Sequence, residues 1–414
     1  MAIPQIDVDF NSPDIIADPY PLFADLRNLG PLLKHVDGNY VVTSYAAARE
    51  VLLRAEDFSS ANANQRMWFG AEYAEAQEVL SHACPVVPAL LTTDPPVHTR
   101  HRGIVRQAFG VRRVAQLENF MQQVAHELAG TLARSDSTEL YGDFASVLPL
   151  RLITDAVGAG QDDLGRIKEW SDALVAHIGR AVTPQQAVEL AHKRVELHTY
   201  LLARIADAGR QPTDDILGDL VRAERADPAD LSLPEMVGIL EQLLTAGNET
   251  SARLITFVIQ KLAVDPELDR RVRHNRELVG PLAEEMLRLE TPVQMKYRKA
   301  TRVSTLAGYE IPEGSTVMVL FGSANRDESE FPQADKLRLD RPNLRAHLAF
   351  GFGPHLCLGA QLARAEARIA INALLDVVDE FRLSTRHPAP EIGPSFVHRG
   401  LSALNLELAH TVMR

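Results

Sequence analysis

Apolar residues along this chain recur mostly at three- and four-residue spacing, the period of a helix buried on one side. Leu22, Phe23, Leu26 and Leu29 mark a short amphipathic helix opened by Asp18-Pro19-Tyr20-Pro21, and residues 46–54 mark another. Between them, Leu32 to Val36 and Tyr40 to Tyr45 read as strands around Asp37-Gly38, a pair suited to a tight hairpin turn. Over residues 59–93 the pattern breaks up. Met67, Trp68, Phe69, Val86, Val87, Leu90 and Leu91 lie there in irregular sequence, which predicts a loop serving as a pocket wall. The helical period returns from 113 to 228, first in a long helix carrying Val114, Leu117, Phe120, Met121, Val124, Leu128 and Leu132. Further helices are predicted over 148–157, 164–178, 188–208 and 214–221.

Ser232-Leu233-Pro234-Glu235 is a capping box with proline in the first turn. The helix it opens continues to Val264 and stops at Asp265-Pro266, a length of about 48 Å at the standard rise. One face carries Met236, Leu240, Leu243, Gly247, Thr250, Leu254 and Phe257. Its centre, Ala246-Gly247-Asn248-Glu249-Thr250-Ser251, is a poor choice for a plain core face. Ala246 and Gly247 leave open space on that face, and Thr250 suits a hydrogen bond to a backbone carbonyl that bends the helix. Further on, Tyr309 to Gly322 reads as a hairpin about Pro312-Glu313-Gly314. The fold class is therefore mainly α with small β-sheets, β-rich near residues 30–45 and 290–320.

The 414 residues allow two or three average domains or one large one; we expect one spanning 1–414. Two cysteines, Cys84 and Cys357, make no disulfide framework, which points to the reducing cytoplasm. Met1 to Ile15 lacks a signal-peptide pattern, and no run of about 20 apolar residues is present to cross a membrane. A net charge of −12 argues against nucleic acid as a partner.

The densest chemistry lies at Phe350-Gly351-Phe352-Gly353-Pro354-His355-Leu356-Cys357-Leu358-Gly359. Leu358, Leu362, Ala365, Ile369 and Ala373 predict a buried helix immediately after it, with Cys357 at its N-terminus, where free N–H groups and the helix dipole favour a thiolate. Gly351, Gly353 and Gly359 allow positive φ and close backbone approach. A thiolate so placed suits a nucleophile, a redox thiol or a metal ligand. No second cysteine is near, which disfavours redox pairing and a multi-cysteine zinc site. His355 as a base for a nucleophilic Cys357 has poor geometry two residues away.

The spacing F-G-x-G-x-H-x-C-x-G resembles the haem-ligand signature of the cytochrome P450 family, soluble bacterial type. Four further segments resemble that family in the same order: Asp94-Pro95-Pro96-Val97-His98 with Arg102, Ala246-Gly247-Asn248-Glu249-Thr250, Glu285-Met286-Leu287-Arg288, and Ala324-Asn325-Arg326-Asp327. The resemblance runs from about Asp18 to Leu408. It implies the family's fold, with haem b (iron protoporphyrin IX) between the central helix and the cysteine-loop helix. It implies Cys357 as the iron ligand, shielded by Phe350, and His98, Arg102, Arg298 and His355 as propionate contacts. Ala246, Gly247, Gly351 and Gly359 would border the cofactor, and Glu249 and Thr250 would relay protons to bound dioxygen. Glu285, Arg288 and Arg341 would form a buried ion network. Trp68, Phe69, Leu243, Val293, Met295, Phe396 and Val397 are the candidate substrate pocket. The activity implied is insertion of one oxygen atom from O2 into an apolar substrate, by hydroxylation or O-dealkylation. The chain ends soon after the family's last strand, so electrons are expected from a separate ferredoxin or flavodoxin with its reductase. Arg100, Arg102, Arg106, Arg112 and Arg113 form a basic cluster suited to such a donor. The protein is expected to be a monomer. A peroxide-driven peroxygenase and a gas-binding haem module are the alternatives; the Glu249-Thr250 pair disfavours the first.

Overall fold

A computed structural model describes residues 2–61, 70–176, 178–179, 182–227 and 230–409. Its axis is the helix Leu233–Val264, opened by the expected capping box: Ser232 Oγ accepts from the Glu235 N–H, and the Glu235 carboxylate accepts from the Ser232 N–H at 2.7 Å. Seventeen of its residues are buried, over more than one face, because helices surround it. It packs against Val147–Val157, Val279–Glu290 and Ala360–Val377. A Cβ on Gly247 would lie 2.8 Å from Ile153 Cγ1, so glycine is needed there for close approach to Val147–Val157.

Among the described residues the strands form sheets of six, three and two. The largest is ordered Gln5–Ile6, Leu32–His35, Tyr40–Val42, Thr316–Leu320, Met295–Ala300, Phe58–Ser59. Asp37-Gly38 makes the expected hairpin turn, with Gly38 at φ 93°. The hairpin expected about Pro312-Glu313-Gly314 does not form. Tyr309–Ile311 pairs instead with Ser304–Leu306, closed by Ala307 and Gly308, both at positive φ. Thr316–Leu320 is taken by the large sheet, antiparallel to Met295–Ala300 and parallel to Tyr40–Val42. Two well-formed partners outweigh the local turn.

The stretch predicted irregular over 59–93 contains the helix Ala74–Leu80. It packs on the long helix Pro184–Arg210 through Ala76, Ala187 and Ala191, whose small side chains give little apolar period. The strand Ser137–Glu139 lies in the stretch predicted helical, and is set by distant pairing with Asn405–Ala409. Leu164–Val175 and Pro184–Arg210 pack on one another and on the central helix.

Candidate active site

Between the central helix and the helix Ala360–Val377 lies a cavity of about 270 Å³. Leu243, Ala246, Gly247 and Thr250 line it from one side, and Phe350, Gly351, His355, Cys357 and Gly359 from the other. Leu90, Leu91 and Val293 add apolar wall. Thr250 Oγ1 donates to the Ala246 carbonyl at 3.0 Å, the back-bond expected from its position.

The cysteine loop is held by backbone bonds. Gly351 N–H donates to Leu348 O at 2.8 Å, and Cys357 N–H to Phe350 O at 2.8 Å. Gly351 and Gly353 take φ of 69° and 70°, and a Cβ on Gly353 would strike the Leu52 carbonyl. Gly359 differs from expectation: its φ of −83° needs no glycine, because the chain there is already turning into the helix. Cys357 is exposed only in that it faces the cavity. Burial among protein atoms raises its thiol pKa; the Gly359 N–H and the charges of Arg102 and Arg364 act in the opposite direction. Burial thus opposes the thiolate that the Gly359 N–H and the two arginines favour.

Four polar groups gather at one edge. The His98 and His355 rings lie 4.0 Å apart, centroid to centroid. Burial, followed by the charge of Arg102, lowers His98 to about 4; burial, followed by His98 and Arg298, lowers His355 to about 3. Both rings are neutral near pH 7 and carry one N–H each; that of His355 is shared with the Thr93 backbone. Burial lowers Arg298 to about 10, so it stays charged. Among the described residues, neither Arg102 nor Arg298 has a carboxylate within ion-pair distance, and the buried His355 Nε2 has no partner.

Strand alternation sorts the candidate pocket residues. Lys296 and Arg298 face the cavity, whereas Met295 and Tyr297 face the opposite side of the sheet. Met295, Phe396 and Val397 therefore do not line the cavity. They belong to a separate apolar cluster with Phe10 and Phe23, where Phe396 packs on those two rings at 5.0 and 6.1 Å. Trp68 and Phe69 lie outside the described residues. Glu249 is not in the lining either: it turns along the helix to pair with Arg253. Glu366 does line the cavity and bonds Ser251; burial raises its carboxyl to about 8, so it carries a proton at neutral pH.

Behind the loop, Glu285, Arg288 and Arg341 form the expected network. Arg288 Nε donates to Glu285 at 2.7 Å and Arg341 Nε at 3.0 Å, all three side chains being buried. Sequence reasoning missed a second network beside it. Glu284 accepts from Arg364 Nε at 2.5 Å and pairs with His347 Nε2 at 2.8 Å. Burial alone would raise its carboxyl, but those two partners hold it at about 2. Arg364 also lies over the Phe350 ring, 4.6 Å from its centroid. Of the basic cluster, Arg100 pairs with Glu235 and Arg113 with Asp214, and Arg102 turns into the cavity. Arg106 and Arg112 remain exposed without an ion-pair partner among the described residues, beside Val111 at 76% exposure.

A flat macrocycle bearing two carboxylates and a thiolate-seeking metal fits these residues. The walls are apolar, no carboxylate among the described residues pairs with Arg102 or Arg298, His355 has a free nitrogen, and one sulfur faces the interior. Such a chamber defines a haem-thiolate enzyme. A family model described as cytochrome P450 matches residues 185–398. Cytochrome P450 144 of Mycobacterium tuberculosis is 32% identical over 89% of this chain and 84% of its own length. The monooxygenase PikC of Streptomyces venezuelae is 33% identical over 97% and 94%. Among solved structures, cytochrome P450 CREJ in complex with (4-ethylphenyl) dihydrogen phosphate superposes with a TM-score of 0.89 at 28% identity, covering 95% of this chain and 97% of that one. The chain belongs to the cytochrome P450 family and is a haem b monooxygenase of that family.

Proposed function

We propose that this enzyme inserts one atom of O2 into an apolar organic substrate, with electrons from a separate ferredoxin or flavodoxin and its reductase, in the cytoplasm. The observation that carries this reading is one cysteine facing, across an apolar cavity, a helix that offers small residues and a hydroxyl. Haem, when bound, supplies dioxygen activation through a cysteine-ligated iron.

Each residue then has a task that its own chemistry suits. Cys357 Sγ would ligate the haem iron, with Arg102 and Arg364 favouring its anionic form. Phe350, pinned by Arg364, keeps water from the sulfur. Arg102 and Arg298 would bring positive charge to the propionates, and neutral His98 would donate an N–H bond to them beside the His355 ring. Thr250 Oγ holds a proton beside the cavity. Glu366 holds another at its carboxyl, a role expected from sequence for Glu249. The Glu249–Arg253 pair can pass protons only if it opens. Arg106 and Arg112 flank Val111 on the surface and form the remnant of the basic cluster that an acidic electron donor would meet. Among the described residues no helix is long and apolar enough to cross a membrane, which supports the cytoplasmic assignment.

The test is spectroscopic and isotopic. The reduced, carbon-monoxide-treated protein should show the strongly red-shifted Soret band of thiolate ligation, lost in Cys357→Ser. With a ferredoxin, its reductase and labelled dioxygen, the product should gain one labelled atom. Turnover with hydrogen peroxide alone, and none with the donor system, would overturn the proposal.

A further inference from the structure

The cavity contains a charge that these tasks leave unused. Lys296 lies on the cavity side of Met295–Ala300, two residues before Arg298, with Pro292 and Val293 lining the wall beyond it. Pairing of Lys296 with Val319 fixes the register, so the side chain cannot turn to the other face without slipping the sheet. Among the described residues, its ammonium has no ion pair and no hydrogen bond. The charge acting on it is a like one, Arg298; burial and that neighbour lower Lys296 to about 8, which leaves it charged near neutral pH. A half-buried cation beside apolar wall, with no counter-charge from the protein, calls for an anion from elsewhere.

The propionates are served by other groups. The groups acting most on His355 are His98, Arg298 and Arg102, so these four cluster at one edge. Lys296 shares the cavity lining with Val293, Leu90, Leu91 and Leu243 and is not among the groups acting on His355. Gln242, the remaining long polar side chain nearby, is already engaged: its amide donates to Ala89 O and accepts from the Leu91 N–H, both at 2.9 Å.

We propose that Lys296 is a specificity-determining anchor, and that the substrate is an apolar molecule ending in a single carboxylate seated on the Lys296 ammonium. The proposal rests on the reading of the cavity as a haem-bearing substrate chamber. One compact ammonium matches one monoanionic headgroup. The anchor fixes which carbon of the substrate is presented to the reacting centre, because the headgroup is tied to a rigid strand.

The experiment titrates the ferric holoenzyme with straight-chain carboxylic acids of graded length and with their methyl esters, reading the ligand-induced spin-state shift. The wild type should bind the best acid about tenfold to a hundredfold tighter than its ester, the range of a hydrogen bond to a charged group. In Lys296→Gln the acid-to-ester ratio should fall to near one, and Lys296→Arg should restore most of it. Haem content and the carbon-monoxide spectrum of each variant are recorded alongside. Equal binding of acid and ester by the wild type, or no binding of either across the series, overturns the proposal. So does an unchanged ratio in Lys296→Gln accompanied by haem loss, which assigns Lys296 to a propionate. Absence of the red-shifted Soret in the wild type instead removes the chamber reading beneath it, so the two failures are told apart.

Discussion

Replacing Glu285 by Gln removes one charge and almost no volume, and it isolates the energetics of the buried network. In the folded protein this carboxylate accepts from Arg288 at 2.7 and 3.0 Å, from Arg341 at 3.0 Å and from the Arg338 N–H at 2.9 Å. Both guanidinium groups are essentially inaccessible to solvent. They also donate to carbonyls: Arg288 to Asn325 and Ala334, Arg341 to Pro332, Gln333 and Lys336. Those dipoles satisfy hydrogen bonds without cancelling charge. Leaving two buried cations with no anion should cost about 3–5 kcal/mol, the range for breaking a buried pair. A protein typically has about 5–15 kcal/mol in total, so the variant should lose a large share of its stability. Equilibrium unfolding in urea, followed by circular dichroism and by Soret absorbance on the holoenzyme, reads this directly. A loss under about 1 kcal/mol would refute the reasoning, since it would mean that water already screens the network. A second arm guards against a merely fragile site. Replacing all three residues with apolar ones of similar volume should recover part of the loss, because buried pairs often lie close to break-even against good packing.

Three further outcomes are expected. Thr250→Ala should let oxygen consumption continue while product yield falls at least about tenfold and hydrogen peroxide accumulates, since the hydroxyl proton is gone; unchanged yield removes the hydroxyl from the mechanism. Glu284, ordinarily near 4.5 and held at about 2, contributes stability that is fully present above 4.5 and lost as pH falls toward 2, about 3 kcal/mol in all. Acid unfolding of Glu284→Gln should therefore show a shallower limb in that window, and an identical limb would contradict the assignment. Arg106→Glu with Arg112→Glu should slow reduction by an acidic ferredoxin several-fold at low salt and little at high salt; stopped-flow rates independent of both charge and salt would exclude this face.

What was legible in the sequence is what is encoded locally. The central helix is bounded by its own capping box and stop, and the structure begins and ends it there. The cysteine loop is spelled by its glycines, two of which do take positive φ. The Glu285 network was legible only through the family resemblance, because Arg341 lies far along the chain. Its neighbour Glu284 was passed over for the same reason: His347 and Arg364 are distant, and nothing at 284 itself announces them. Two misses had a readable signal. Alternation along Met295–Ala300 already placed Lys296 with Arg298 and set Met295 apart. Glu366 follows Leu362 by four, which puts it on the same helical face. The false hairpin at Pro312 shows the opposite limit, since a turn can be correct chemistry and still lose to strands that only the whole sheet supplies.

That sheet has a bearing on how the polypeptide comes into being. Tyr40–Val42 lies between Leu32–His35 and Thr316–Leu320, and its parallel partner, Val317 to Val319, is among the later segments to leave the ribosome. Throughout most of translation one border of Tyr40–Val42 is left bare, with valines 41 and 42 ready to zip onto any extended neighbour. Such long-range closure is slow, so yield in a heterologous host should depend on chaperone supply and growth temperature more than on the final stability of the enzyme.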